Sequence, residues 1–129
     1  MKRVTGIGGV FFKSPDPKAL AEWYRVHLGL AVEDWGGVAF PWSGPDNPGG
    51  TGTTVWSPFK DDTEHFAPSR APFMINYRVD DLHALLAALR AEGCQVLDKV
   101  DDSAEYGKFG WVLDPDGNKL ELWQPPEGQ

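Results

Sequence analysis

Apolar and polar positions along the chain form two similar series. The segment from Val10, "VFFKSPDPKALAEWY", and the segment from Ile75, "INYRVDDLHALLAAL", each open on an apolar strand that ends in a cation, Lys13 or Arg78. An aspartate follows in each, Asp16 or Asp81, where a helix would start. Asp16 followed by Pro17 suits an N-cap and first helical position, because the carboxylate accepts from free amides and proline lacks the donor that would go unpaired. Leu20, Trp23, Tyr24 and Leu28 then recur at helical spacing, as do Leu82, Leu85, Leu86 and Leu89. Each helix is expected to stop at a glycine, Gly29 or Gly93, which tolerates the left-handed end conformation.

The parallel continues beyond the helices. "LAVEDW" from Leu30 and "CQVLDK" from Cys94 read as short strands. "WGGVAFPW" from Trp35 matches "YGKFGWVL" from Tyr106, and "GTGTTVWSPF" from Gly50 matches "GNKLELWQPP" from Gly117. The fold class predicted is α+β, two tandem βαβββ modules forming a half-open barrel around a concave cavity. Residues 1–59 make module one and residues 72–129 module two. Between them, "KDDTEHFAPSRA" from Lys60 to Ala71 is polar and irregular and reads as a linker. Neither half is large enough to be comfortable alone, so 1–129 is read as one domain.

Composition narrows the function classes. The net charge of −7 argues against nucleic acid and against anionic membrane surfaces, though a few local cations can still hold a small anion. No apolar run is long enough for a membrane span, and the Gly-broken N-terminal run reads as a first strand rather than a signal peptide. Cys94 is the single cysteine, so no internal disulfide forms and a reducing, cytoplasmic setting is the default. It is expected to be buried and inert.

"AEWYRVHLGL" from Ala21 and "DPDGNKLELWQP" from Asp114 resemble two motifs of the vicinal oxygen chelate superfamily, the glyoxalase/bleomycin resistance/dioxygenase group. The first is similar to its aromatic-Tyr-x₄-Leu-Gly helix end. The second is similar to its Asp-Pro-acid-Gly hairpin and the strand that carries a ligand glutamate. The resemblance covers nearly the whole chain and implies a cavity on the concave face of paired βαβββ units. It also implies either a divalent metal there, as in glyoxalase I lyases and extradiol dioxygenases, or a metal-free binding protein, and it implies a homodimer.

Matched motif to motif, the four family ligand positions fall on Gly9, Thr54, Met74 and Glu121, where the family usually has His, Gln or Glu. Glycine has no side chain, a threonine hydroxyl is a weak neutral donor, and a thioether suits soft Cu(I). One carboxylate does not hold a divalent ion firmly. No metal or other cofactor is therefore expected; under the alternative reading a divalent metal serves a lyase, isomerase or dioxygenase. His27 and His83 lie on helices, away from the cavity. For His65 a solvated loop is favoured over a lid residue reaching the cavity.

Alternation along the strands assigns the cavity face. It gives Phe11 and Lys13, Met74, Asn76 and Arg78, Thr54 and Trp56, and Lys119, Glu121 and Trp123. Val10, Phe12, Ile75, Tyr77, Leu120 and Leu122 should face the helices. The candidate ligand-binding residues are Phe11, Thr54, Trp56, Met74, Asn76, Arg78, Trp111 and Trp123, with Glu121 as the candidate catalytic carboxylate. The same aromatics would equally suit barrel closure or a subunit interface. Glu121 is expected either to pair with Arg78 or another cation, or to stand unpaired as a general base. "DPDGN" reads as a turn with Gly117 at positive φ rather than a calcium loop. "GVAFPWSGPDNPGGTG" lacks phosphate-loop chemistry and reads as a long, mobile hairpin tip at the cavity mouth. The preferred function is small-molecule binding in the cavity without the family metal; a structural or partner-binding domain with a filled cavity is a further alternative.

Overall fold

The computed structural model describes residues 3–43 and 50–129; residues 44–49, in the glycine-rich tip, lie outside the described residues. Among the described residues no helix is long and apolar enough to cross a membrane. The chain runs β1 (Val4–Ser14), α1 (Pro17–Leu28), β2 (Val38–Pro41), β3 (Thr53–Lys60), β4 (Phe73–Val79), α2 (Leu82–Ala91), β5 (Gln95–Ser103), β6 (Gly107–Leu113) and β7 (Lys119–Gln124). All seven strands join one mixed sheet in the order β2-β3-β1-β4-β7-β6-β5, a continuous sheet rather than a closed barrel.

The internal repeat is visible in the pairing. In each half the first strand runs parallel to the last, β1 with β3 and β4 with β7. The halves meet where β1 and β4 pair antiparallel, with Phe11 opposite Met74 and Gly9 opposite Asn76. The capping signals hold: Asp16 accepts from the Ala19 amide and Asp81 from the Ala84 amide, each at 3.1 Å. Gly29 ends α1 at φ 70°.

One predicted strand does not form. The segment around "LAVEDW" spends its hydrogen bonds locally, with the Val32 amide on the Leu30 carbonyl and the Glu33 amide on the Gly37 carbonyl, so it joins no neighbouring strand. The first half is therefore one strand shorter than the second.

The helices cover one face unequally. On α2, Leu82, Leu85 and Leu86 are buried against Val112 and Leu122, with Tyr77 and Leu120 packed alongside. On α1 only Ala21 is fully buried. Trp23 and Leu28, at core-like spacing in the sequence, are 51% and 60% exposed. Tyr24 does pack inward, edge-on to Trp56 at 4.9 Å.

The opposite, concave face has its own core, and here the linker departs from the expected solvated loop. Phe66 is wholly buried with Met74 and Trp111, and Phe11, Phe59 and Phe109 pack against them. His65 lies flat on Phe59, with ring centroids 5.6 Å apart and planes within 3°. The Lys119 ammonium donates to the His65 carbonyl at 2.6 Å. Phe66, by burying a large apolar area, and His65, by stacking on Phe59, tie Lys60–Ala71 across the sheet as a strap.

Candidate functional site

Glu121 sits at the centre of the concave face and is 4% exposed. β7 places it opposite Asn76 on one side and Trp111 on the other. Its Oε1 accepts from Asn76 Nδ2 at 2.7 Å, and its Oε2 accepts from Trp111 Nε1 at 2.9 Å. The third partner is His65, whose Nε2 lies 3.1 Å from Oε2. An amide NH₂ and an indole N–H can only donate, so the carboxylate is satisfied as an acceptor. With Glu121 in its acceptor-only, ionised form, His65 Nε2 is the donor of this contact.

Of the alternatives that the sequence leaves open for Glu121, pairing with Arg78 is not the one made. Arg78 is buried instead between two indoles, with its guanidinium carbon 4.8 Å from the Trp42 ring and 5.2 Å from the Trp123 ring. Its Nη2 donates to the Gln129 main-chain oxygen. Burial pulls its pKa below the usual arginine value. Stacked rings stabilise a weakly hydrated guanidinium, and this took the place of a carboxylate partner.

The remaining candidates divide between the two faces. Phe11, Asn76, Glu121 and Trp123 line an open cavity of about 420 Å³. Trp123 stacks on Phe109 at 6.0 Å and its Nε1 donates to the Tyr106 carbonyl at 2.8 Å. Met74 is wholly buried beneath the strap. Trp111 is 4% exposed, its indole edge committed to Glu121. Trp56, however, packs on Phe12 and Tyr24 on the helix side. The Thr54 hydroxyl accepts from Trp42 Nε1 at 2.8 Å and donates to the Ile7 carbonyl at 2.6 Å. Thr53 and Val55, not Thr54 and Trp56, line the cavity. Matching Trp56 to Trp123 displaces β3 by three positions from the observed register, and an odd displacement exchanges the faces. In the observed register Phe11 lies beside Ser57, as Asn76 lies beside Glu121. Cys94 is exposed, not buried. His27 and His83 stay on the helices, His27 beside the Trp23 ring and His83 4.0 Å from Asp102.

Phe66 of the strap and Gly8 of β1 are absent from the sequence reading of the site, and His65, for which a solvated loop is favoured there, instead reaches Glu121. A side chain on Gly8 would meet Asn76 Oδ1 at 2.3 Å and Trp123 at 2.9 Å, so this glycine keeps the cavity floor open. The irregular register between Ile7 and Gly9 brings it to the concave side. The signal for the strap was the pair His65-Phe66 itself, two rings amid charged residues.

The four positions matching the family metal set do not suit a divalent ion. Gly9 offers no donor, the Met74 thioether is packed under Phe66, and the Thr54 hydroxyl is spent on Ile7 and Trp42. Both Glu121 oxygens already accept from nitrogen donors. Among the described residues no group of three or more His, Cys, Asp or Glu side chains comes together. A hard or borderline cation needs about three or more such ligands.

A seven-strand sheet of two repeated halves, helices on one face and a carboxylate-centred cavity on the other, defines a glyoxalase-type fold. The chain belongs to the glyoxalase-like domain family, which it matches over residues 9–123. No curated protein matches the sequence. Solved structures that share the fold include methylmalonyl-CoA epimerase from Mycobacterium tuberculosis, at 22% identity and TM-score 0.62 over 97% of this chain and 91% of that one. The Streptomyces coelicolor methylmalonyl-CoA epimerase, in complex with 2-nitronate-propionyl-CoA, gives 18% identity and TM-score 0.69 over 95% and 98%. A methylmalonyl-CoA epimerase in complex with methylmalonyl-CoA and NH4+ gives 17% and 0.71 over 98% of each chain.

Proposed function

We propose that this glyoxalase-like protein binds a small, partly apolar molecule in the concave cavity without using the family metal. The observation that carries this reading is the cavity floor. Phe11, Val55 and Trp123 wall about 420 Å³, and Asn76 and Glu121 stand at the base. That volume and mixture suit a small-molecule site, typically ~300–1,000 Å³. Asn76 Oδ1 is buried and has no hydrogen-bond partner among the described residues. Because its amide nitrogen is committed to Glu121, this oxygen is fixed as an acceptor. A ligand hydroxyl or N–H would satisfy it.

The test is a screen of small aromatic and aliphatic molecules by tryptophan fluorescence and by shifts of the Trp123 indole resonance. Saturable binding that is lost in Trp123→Ala and indifferent to a chelator supports the reading. Binding or turnover that requires added Zn, Ni, Fe or Mn overturns it.

A structural domain with a filled concave face is the second reading, favoured by the complete burial of Phe66. It expects Phe66→Ala to unfold the protein and the screen to find no ligand.

A further inference from the structure

The strap divides the concave face. On the far side of His65 from the first cavity lies a second pocket of about 400 Å³, lined by Glu64, His65, Leu97, Lys99, Trp111 and Lys119. Two ammonium groups converge on one indole there, Lys99 Nζ at 5.6 Å and Lys119 Nζ at 5.4 Å from the Trp111 ring centre. Like charges held together are unfavourable unless something offsets them. In a chain of net charge −7, two lysines sharing one ring are a local concentration of cations.

Three carboxylates lie nearby, Asp101, Glu64 and Glu121, and none of them is hydrogen-bonded to Lys119. Asp101 is 3.8 Å from Lys99, but both side chains are more than half exposed, so the pair is weak and screened. Glu64 is exposed at the rim. Lys119 is half-buried, and its hydrogen bond goes to a neutral group, the His65 carbonyl. Burial lowers its pKa and nearby Lys99 lowers it further, against the pull of Glu121. The Glu121 carboxylate itself is turned to Asn76, Trp111 and the His65 ring. Leu97 and the indole supply apolar surface next to the cations.

We infer that this pocket is a binding site for a small organic anion, its carboxylate set between Lys99 and Lys119 and its apolar body against Trp111 and Leu97. The site is separate from the first cavity and does not rest on the function proposed for it.

The experiment titrates the intact protein with 2-naphthoate and with its neutral counterpart 2-naphthylmethanol, following the indole N–H resonances. The expected result is a saturable shift at Trp111, with 2-naphthoate binding about tenfold tighter than the alcohol. Lys99→Gln and Lys119→Gln should each weaken 2-naphthoate several-fold, and Trp123→Ala should leave it unchanged. Lys99 is exposed, so its variant keeps the test valid if Lys119→Gln loosens the strap. Equal binding of the two probes, shifts centred on Trp123, or no loss in Lys99→Gln would each overturn the inference.

Discussion

His65 Nε2 lies 3.1 Å from Glu121 Oε2, so a side chain of the segment joining the two halves closes on the carboxylate at the centre of the sheet. The same oxygen accepts from Trp111, and its twin accepts from Asn76. The carboxylate is thus the common acceptor for three elements, the strap, β4 and β6.

Removal of that acceptor should therefore be costly, and its amide replacement cheap. Glu121→Ala leaves the Asn76 and Trp111 donors buried and unpaired, at about 3 kcal/mol in total. Glu121→Gln should cost below ~1 kcal/mol. The Asn76 amide can turn over, so that its oxygen accepts from the new NH₂ while the Gln oxygen serves Trp111 and His65. His65→Ala, at a half-exposed ring, should fall between the two. Urea unfolding of the three variants gives the order, and a Glu121→Gln as damaging as Glu121→Ala would contradict this bonding scheme.

Gly8→Ala tests the floor of the first cavity. The added methyl would sit 2.3 Å from Asn76 Oδ1, 2.9 Å from Trp123 and 3.0 Å from Arg78 Cγ. Overpacking of this kind costs about 2 kcal/mol. The expected outcome is a lower midpoint of unfolding with a displaced Trp123 indole resonance. An unchanged midpoint would show that the three side chains yield freely.

The two tryptophans that sequence alignment paired should separate in experiment. Trp56→Ala removes a ring packed on Tyr24 and Phe12, costing about 3 kcal/mol without altering ligand binding in the cavity. Trp123→Ala removes a cavity wall and one face of the Arg78 stack, so it should weaken ligand binding. Paired unfolding and titration curves for each variant decide it.

Asp114 links the β6–β7 turn to pH. Its carboxylate accepts from the Asn118 and Asp116 amides at 2.9 Å and from the Asn118 side chain at 3.1 Å. These bonds, the Asn118 amide first, hold its pKa below the ordinary aspartate value. A folded-state pKa below the unfolded one means stability that is present above the unfolded value, about 4, and lost as pH falls through the folded value. Asp114→Ala should therefore melt lower than the parent at pH near 7, with the gap closing as pH falls below the ordinary aspartate range and through the lowered folded value. A gap that persists in acid would assign the effect to the turn's shape rather than its charge.

Much of this arrangement was legible because it is periodic. Asp16 and Asp81 announced both helices, and alternation put Met74, Asn76 and Arg78 on one face and Tyr77, Leu120 and Leu122 on the other. What failed was register and long-range contact. Motif matching pairs Trp56 with Trp123 because it carries no information on which strand neighbour a residue faces, and the β1–β3 ladder separates them. A carboxylate partner is one of the readings that charge alone offers for Arg78, and in the fold two indoles flank it instead. The strap carried no periodicity, so its contacts to Phe59, Lys119 and Glu121 were invisible along the chain.

The strap has no counterpart in the repeat of the duplicated architecture. Strand order, helix caps and ladder pairing belong to the repeat, while the roof over the concave face belongs to the joint between copies. Exchanging the residues of Asp61–Ala71 other than the buried Phe66 would thus reshape what the face admits while leaving the sheet beneath it in register. Diversification of recognition in this chain can proceed at the seam, free of the constraint that two matched halves impose on each other.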